Sequence, residues 1–181
     1  LEAIRRKARD MSSMISQLLL LSRADQGRQA LQKELLDISE LTQMTAEEQQ
    51  LLAQERHISI ETDIEPGIVM EADESFFIRL LVNLISNSIS YGREGGSTKV
   101  SLHREEKAAV LSVADDGQGM EEKDLPRIWD RFYRADASRS DSGHSGLGLS
   151  IVKWIAGEHG GEVAVESEKG KGSVFTCRFP L

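Results

Sequence analysis

The chain is poor in cysteine, proline and aromatic residues, and it carries no surplus of positive charge. Its single cysteine, Cys177, excludes an internal disulfide framework and a cysteine-based zinc site. It alternates with Phe175 and Phe179 in a strand-like run, the setting of a buried apolar thiol. Three prolines, with 39% apolar and 29% charged residues, describe a globular composition. A net charge of −8 argues against a nucleic-acid surface, which needs clustered Lys and Arg. The local basic run Arg5-Arg6-Lys7 with Arg9 alternates with apolar positions at helical spacing, as on a solvated helix face. The apolar run Leu18–Leu21 is far too short to span a bilayer, and no signal peptide opens the chain. The four histidines are scattered without metal-ligand spacing. At 181 residues there is room for one full core and an appendage.

Several familiar chemical motifs are missing too. There is no G-x-x-x-x-G-K-[ST] loop, and neither Gly117/Gly119 nor Gly146/Gly148 has the third glycine of G-x-G-x-x-G. The stretch Gly143-His-Ser145-Gly-Leu147 misses the G-x-S-x-G elbow at its last position.

What is present begins with a long helix. Leu1, Ile4, Ala8, Met11, Ile15 and Leu18 recur at spacings of three and four, a heptad seam, and Gly27 is a plausible stop. No capping residue precedes Leu1, which suggests a helix continuing from an upstream segment. Such a helix either packs on its own domain or forms half of a dimerising hairpin. From Gly27 onward the pattern is mixed: a strand near Gln32–Ile38, then a helix opened by Ser39 with Glu40 behind it, running to about Arg56. Strands follow at His57–Asp63 and, past the Pro66-Gly67 turn, at Ile68–Glu71. A helix spans Asp73 to about Tyr91, and Lys99–Arg104 pairs with Ala108–Ala114 as a hairpin. The charged, Ser- and Gly-rich stretch Glu121–Gly146 reads as a functional loop of the lid kind. A helix at Leu147–His159 and strands at Glu162–Ser167 and Gly172–Phe179 complete the chain.

Three short motifs carry chemistry. Asn83 and Asn87 sit at i and i+4 on a strongly apolar helix, either as a pair of satisfied core amides or with Asn87 offering a neutral amide oxygen to Mg²⁺, a hard cation. Asp115-Asp-Gly-Gln-Gly119-Met120 follows a strand directly. It is either a simple turn or a site whose acid accepts a hydrogen bond from the exocyclic amine of adenine; guanine's carbonyl there would be repelled. Ser142-Gly-His-Ser-Gly-Leu-Gly-Leu149 opens a helix. It is a hinge, or an anion site made of free N–H groups and the positive end of the helix dipole.

Together these stretches resemble a known family. Asn83-Leu-Ile-Ser-Asn87, Asp115-Asp-Gly-Gln-Gly119, Ile128-Trp-Asp-Arg-Phe-Tyr-Arg134 and Gly146-Leu-Gly-Leu149 look like the four ordered boxes of sensor histidine kinases. His159-Gly-Gly161 and Gly170-Lys-Gly-Ser-Val-Phe175 also match, and Met11–Gln17 with Leu18–Ala24 resembles the family's second dimerisation helix.

The resemblance implies an α+β fold: a two-layer sandwich with a mixed sheet of about five strands and three helices on one face, as in histidine kinase, gyrase and Hsp90 ATP sites. It divides the chain into 1–27, the end of a dimerisation and phosphotransfer hairpin, and 28–181, the catalytic domain. It implies ATP and Mg²⁺ as cofactors, with Asn87 holding the metal and Asn83 nearby. Asp115, supported by Gly117 and Gly119, would read adenine, and Tyr91 and Met120 would line the base pocket. Tyr133 and Arg134 would sit over the phosphates, with Arg134 stabilising the transferring group, while Ser145, Gly146, Leu147 and Gly148 would contact them.

There are departures. Ser90 stands where many relatives have a basic residue, a role Arg93 could fill; Trp129 replaces the usual Phe, and Ser88 the usual Ala. None of His57, His103, His144 and His159 has the setting of the family's phosphoacceptor, which is expected on a helix preceding Leu1. The partners implied are that hairpin, a response-regulator receiver domain and a second copy of the parent, in the cytoplasm, with any membrane anchor elsewhere. Gyrase- and Hsp90-type ATPases, and a non-catalytic nucleotide sensor, are the competing assignments. The ATPases place a glutamate where this chain has Asn83, an amide that cannot act as a general base.

Overall fold

The computed structural model describes residues 2–135 and 145–181, the side chains of Glu2 and Arg6 excepted. Helix α1, Glu2–Asp25, ends as the sequence predicts, with the Arg28 N–H reaching back around Gly27 to the Arg23 carbonyl at 2.9 Å. Its seam residues Ile4, Met11 and Ile15 are 71%, 64% and 55% exposed. Leu20 and Leu21, on a different face, are buried in the main core. Arg5, Lys7 and Arg9 are exposed, as a solvated face requires.

Two strands, β1 (Glu34–Asp37) and β3 (Val69–Ala72), pair antiparallel as a small separate sheet. Between them in the chain lie α2 (Ile38–Glu48), α3 (Gln50–Gln54) and β2 (Ser59–Ile64). Three expectations are corrected here. The predicted single helix breaks at Gln49, and its cap is Asp37, whose carboxylate accepts from the Glu40 N–H at 3.0 Å. Ser39 is instead buried inside the first turn, donating to the Glu65 carbonyl (2.6 Å) and accepting from the Ile68 N–H (3.0 Å). It ties α2 to the turn before β3. His57 falls short of β2, in a left-handed turn conformation (φ 55°).

The main sheet has five strands in the order β2-β4-β5-β7-β6, with β4 at Ser97–Glu105, β5 at Ala108–Asp115, β6 at Glu162–Glu168 and β7 at Gly172–Pro180. It is mixed, because β2 runs parallel to β4 while the other neighbours are antiparallel. Alternation puts Val100, Leu102, Leu111, Val113, Phe175, Cys177 and Phe179 on one face, all buried against the helices. The opposite face carries polar residues such as Ser101 and Ser112, whose hydroxyls meet at 2.6 Å. Burial pushes the Cys177 thiol up to about 12, which makes it an inert core group at neutral pH.

Two helices lie centrally on that apolar face: α4 (Glu74–Tyr91), capped by Asp73, and α5 (Gly148–Glu158). Leu80, Leu81, Leu84 and Ile85 of α4 are fully buried, each contributing about 1.5–3 kcal/mol by area. At the far end of the pair His159 is buried: its Nε2 accepts from the Asp73 N–H (3.0 Å), and Nδ1 donates to the Ile155 carbonyl (2.8 Å). At the near end the Asn83 amide donates to the Gly148 carbonyl at 3.3 Å. The helices are therefore antiparallel and pinned at both ends. Among the described residues no helix is long and apolar enough to cross a membrane.

Candidate functional site

The near end of α4 and α5 faces the ends of β5 and β7 across a cavity of about 250 Å³. Of the predicted site residues, Asn83, Asn87, Tyr91, Asp115, Gly119, Met120, Tyr133, Arg134, Ser145, Gly146 and Gly148 all line it. Gly117 and Leu147 stand behind the lining: Gly117 supplies an N–H to Asp115 Oδ1 at 2.9 Å, and Leu147 is the buried N-cap of α5. Ser142, Gly143 and His144 lie outside the described residues.

One end of the cavity is made by the sheet. Asp115 is the last residue of β5, half-buried beside β7. Burial pushes its carboxyl above the ordinary value, and neighbouring Asp116 adds to the rise; the N–H groups of Gly117 and Ser173 pull the other way. Gly119 has φ 61°, and a Cβ there would meet the Glu168 carbonyl oxygen at 2.0 Å. The loop thus lies flat on the β6–β7 turn. The Met120 N–H donates to Ser167 Oγ (2.9 Å), which sets Met120 against the core beside Asp115.

The other end is made by helix termini and the loop Ile128–Ala135. By helix geometry the N–H groups ahead of Ile151, which bonds back to Leu147, have no carbonyl one turn behind them. They and the positive end of the helix dipole open onto the cavity, an arrangement suited to an anion. The loop is held close by the Phe132 N–H donating to the Gly146 carbonyl (2.9 Å). Gly146, at φ 69°, has no room for a Cβ, which would touch Phe132 backbone at 2.9 Å. The Tyr133 hydroxyl donates to Asp124 (2.6 Å), and the Arg127 guanidinium lies 4.4 Å over its ring. Both Tyr133 and Arg134 therefore border the helix-terminus end.

Asn87 sits between the two ends, and its side-chain amide makes no hydrogen bond to any described residue, so it is available to a ligand. The described residues hold no cluster of three or more His, Cys, Asp or Glu side chains fit for a metal ion. A cation here would depend on neutral amide oxygen and on charge brought by its ligand, the donor set that suits Mg²⁺ with phosphates. Arg93 does not reach the cavity lining; its guanidinium donates to the Gly170 carbonyl at 2.6 Å.

Sequence reasoning missed several lining residues. Phe175 and Ser173 come from β7, and Ile128 from the loop. Gln17 comes from α1 and accepts a hydrogen bond from the Ser145 hydroxyl at 2.8 Å. Nothing local marks Gln17, since its partner is 128 positions away.

Comparison with known proteins agrees with this geometry. Residues 72–181 match the family described as histidine kinase-, DNA gyrase B-, and HSP90-like ATPase. The sensor histidine kinase RppB of Synechocystis sp. is 38% identical over 183 residues, covering 100% of this chain and 40% of the relative. The sensor histidine kinase YkoH of Bacillus subtilis is 37% identical, covering 99% of this chain and 38% of the relative. The chain thus spans about two fifths of the length of these relatives. Full-length ShkA in complex with AMPPNP aligns with a TM-score of 0.87 at 27% identity, over 99% of this chain and 37% of that one. The mycobacterial sensor histidine kinase MprB aligns at 0.71 and 25% identity, over 82% and 97%. With its boxes gathered around one cavity and its relatives of this kind, the chain belongs to the histidine kinase-, DNA gyrase B- and HSP90-like ATPases, as an ATP-binding catalytic domain of the sensor histidine kinase type.

Proposed function

We propose that this chain binds ATP with Mg²⁺ in the cavity and passes the γ-phosphoryl group to a histidine on a dimerisation helix of its parent protein, for relay to a response-regulator aspartate. Residues 1–27 are then the end of the hairpin and 28–181 the catalytic domain. The exposed seam of Ile4, Met11 and Ile15 is the surface through which two copies pair.

In this assignment Asp115 accepts from the adenine amine, with the Gly117 N–H fixing its carboxylate and Tyr91 and Met120 lining the base. Asn87 offers the metal its amide oxygen, and Asn83 is held beside it through Gly148. Backbone N–H groups at Gly146, Leu147 and Gly148, with Ser145, receive the phosphates, and Tyr133 and Arg134 cover them. Arg134 offers the fork of donors that charge on a transferring phosphoryl group calls for.

One observation carries the choice of transfer over hydrolysis. Among the described residues, Asp115 is the sole carboxylate lining the cavity, and it stands at the sheet end. The helix-terminus end presents Asn83, which cannot deprotonate water. The bound phosphates then wait for an acceptor brought from outside.

The test pairs calorimetry with phosphotransfer. Asn87→Ala should abolish the magnesium dependence of ATP affinity and, with the hairpin supplied in trans, labelling of its histidine. Unchanged magnesium-dependent affinity would overturn the metal assignment, and steady hydrolysis of free ATP by the wild-type chain would overturn the kinase assignment.

A further inference from the structure

Helix α1 meets the cavity with a polar side chain at the point where phosphate is expected. The Ser145 hydroxyl donates to Gln17 Oε1 (2.8 Å), and its oxygen accepts the Leu147 N–H (3.3 Å) at the start of α5. Gln17 is itself oriented: its Nε2 donates to Ser13 Oγ one turn back (3.1 Å), which turns the carbonyl oxygen toward Ser145. The contact is not an isolated brush of two surface groups. Leu20 and Leu21 of the same helix are buried in the core, and the Asp25 carboxylate takes both terminal nitrogens of Arg131 at 2.6 and 2.8 Å. Arg131 belongs to the same loop whose Tyr133 and Arg134 border the cavity. The seam residues Ile4, Met11 and Ile15 remain exposed, so docking of this face leaves the other face of α1 open.

We infer that Gln17 is a positioning residue that competes with the nucleotide's phosphates for the Ser145 hydroxyl, so that phosphate binding and docking of α1 on the catalytic domain oppose one another. The inference rests on phosphates lying at the start of α5. A hydroxyl has one proton to give. While it goes to Gln17 it cannot go to a phosphate oxygen, and while the oxygen holds the Leu147 N–H that donor is also withheld. Arrival of a phosphate satisfies both groups and leaves the Gln17 carbonyl without its donor, which loosens α1 at this point. Adenosine, which has no phosphate, touches neither group. Because coupling of two equilibria is reciprocal, releasing α1 must raise phosphate affinity by the factor by which phosphate weakens docking.

The experiment is a double-mutant cycle on the whole chain, with ATP·Mg²⁺ and adenosine as probes. Gln17→Ala should tighten ATP by roughly two- to tenfold, the worth of one net hydrogen bond, and leave adenosine unchanged. In a Ser145→Ala background the same substitution should do nothing, because the competed hydroxyl is gone. Amide exchange across residues 14–22 should quicken with ATP·Mg²⁺ and not with adenosine. Equal effects on both probes, the same gain without Ser145, or no change at all would overturn the inference. If Asn87→Ala also leaves the magnesium dependence intact, the phosphate assignment fails as well. If that variant behaves as expected while Gln17→Ala does not, only the role of Gln17 falls.

Discussion

The two ends of the cavity are built from different kinds of structure. The sheet end consists of strand termini locked by ladder pairs, with Asp115 opposite Ser173 and the Gly119 loop pressed onto the β6–β7 turn. The helix end consists of the start of α5, a loop without strand or helix, and one side chain lent by α1. Strand pairing fixes an atom through many shared backbone bonds, so a base-reading acid can be set once. Helix starts and loops are held by a few hydrogen bonds, each worth about 1 kcal/mol, some of which a ligand can replace. Under the proposed function, recognition of the base would belong to the rigid part, and response to phosphate to the exchangeable part.

Three experiments would break or sharpen that contrast. The largest effect is expected at Gly119, where a side chain must clash with the Glu168 carbonyl in a left-handed backbone. Gly119→Ala should cost about 3 kcal/mol in urea unfolding. A loss under 1 kcal/mol would show that the sheet end yields more than its geometry implies.

Next comes His159, which pins the far ends of α4 and α5. Burial lowers its affinity for a proton, and the Ile155 carbonyl only partly opposes this. The unfolded chain therefore binds the proton more readily. The stability from neutral His159 is fully present above about pH 6.5 and is lost as pH falls from there toward the folded pKa. His159→Ala should cost about 2 kcal/mol at pH 7.5, since the Asp73 N–H loses its acceptor, and should flatten the fall in stability below pH 6.5. An unchanged slope in urea titrations would assign that fall to other groups.

The smallest effect is a matter of selectivity. Asp115→Asn preserves volume but can present an NH₂ group to a guanine carbonyl, so preference for ATP over GTP should drop by about tenfold, or ~1.4 kcal/mol. An unaltered ratio, measured by competition, would move base reading away from β5.

Legibility followed the range of the interaction. The Asn83/Asn87 pair, Asp115 with Gly119, and Gly146 with Gly148 are spacings within a few residues, and each lies at one cavity. Gln17 was invisible because a glutamine on a helix face signals nothing until Ser145, 128 positions away, stands beside it. Ser39 looked like a cap by residue type, yet Asp37 takes that role because Ser39 is drawn into the core by Glu65 and Ile68. Arg93 had the right charge to replace a missing base near Ser90, but the Gly170 carbonyl holds its guanidinium elsewhere.

By itself the sequence determined the family, the five-stranded layer under its helices and the local chemistry of each box, since periodicity and short spacings dictate those directly. Only the tertiary structure decided which face of α1 is buried, that Asp25 meets Arg131 across 106 positions, and that the helix reaches into the cavity at all. Those outcomes depend on how separate elements pack, and a heptad pattern is equally compatible with docking on a neighbouring helix or on the chain's own core.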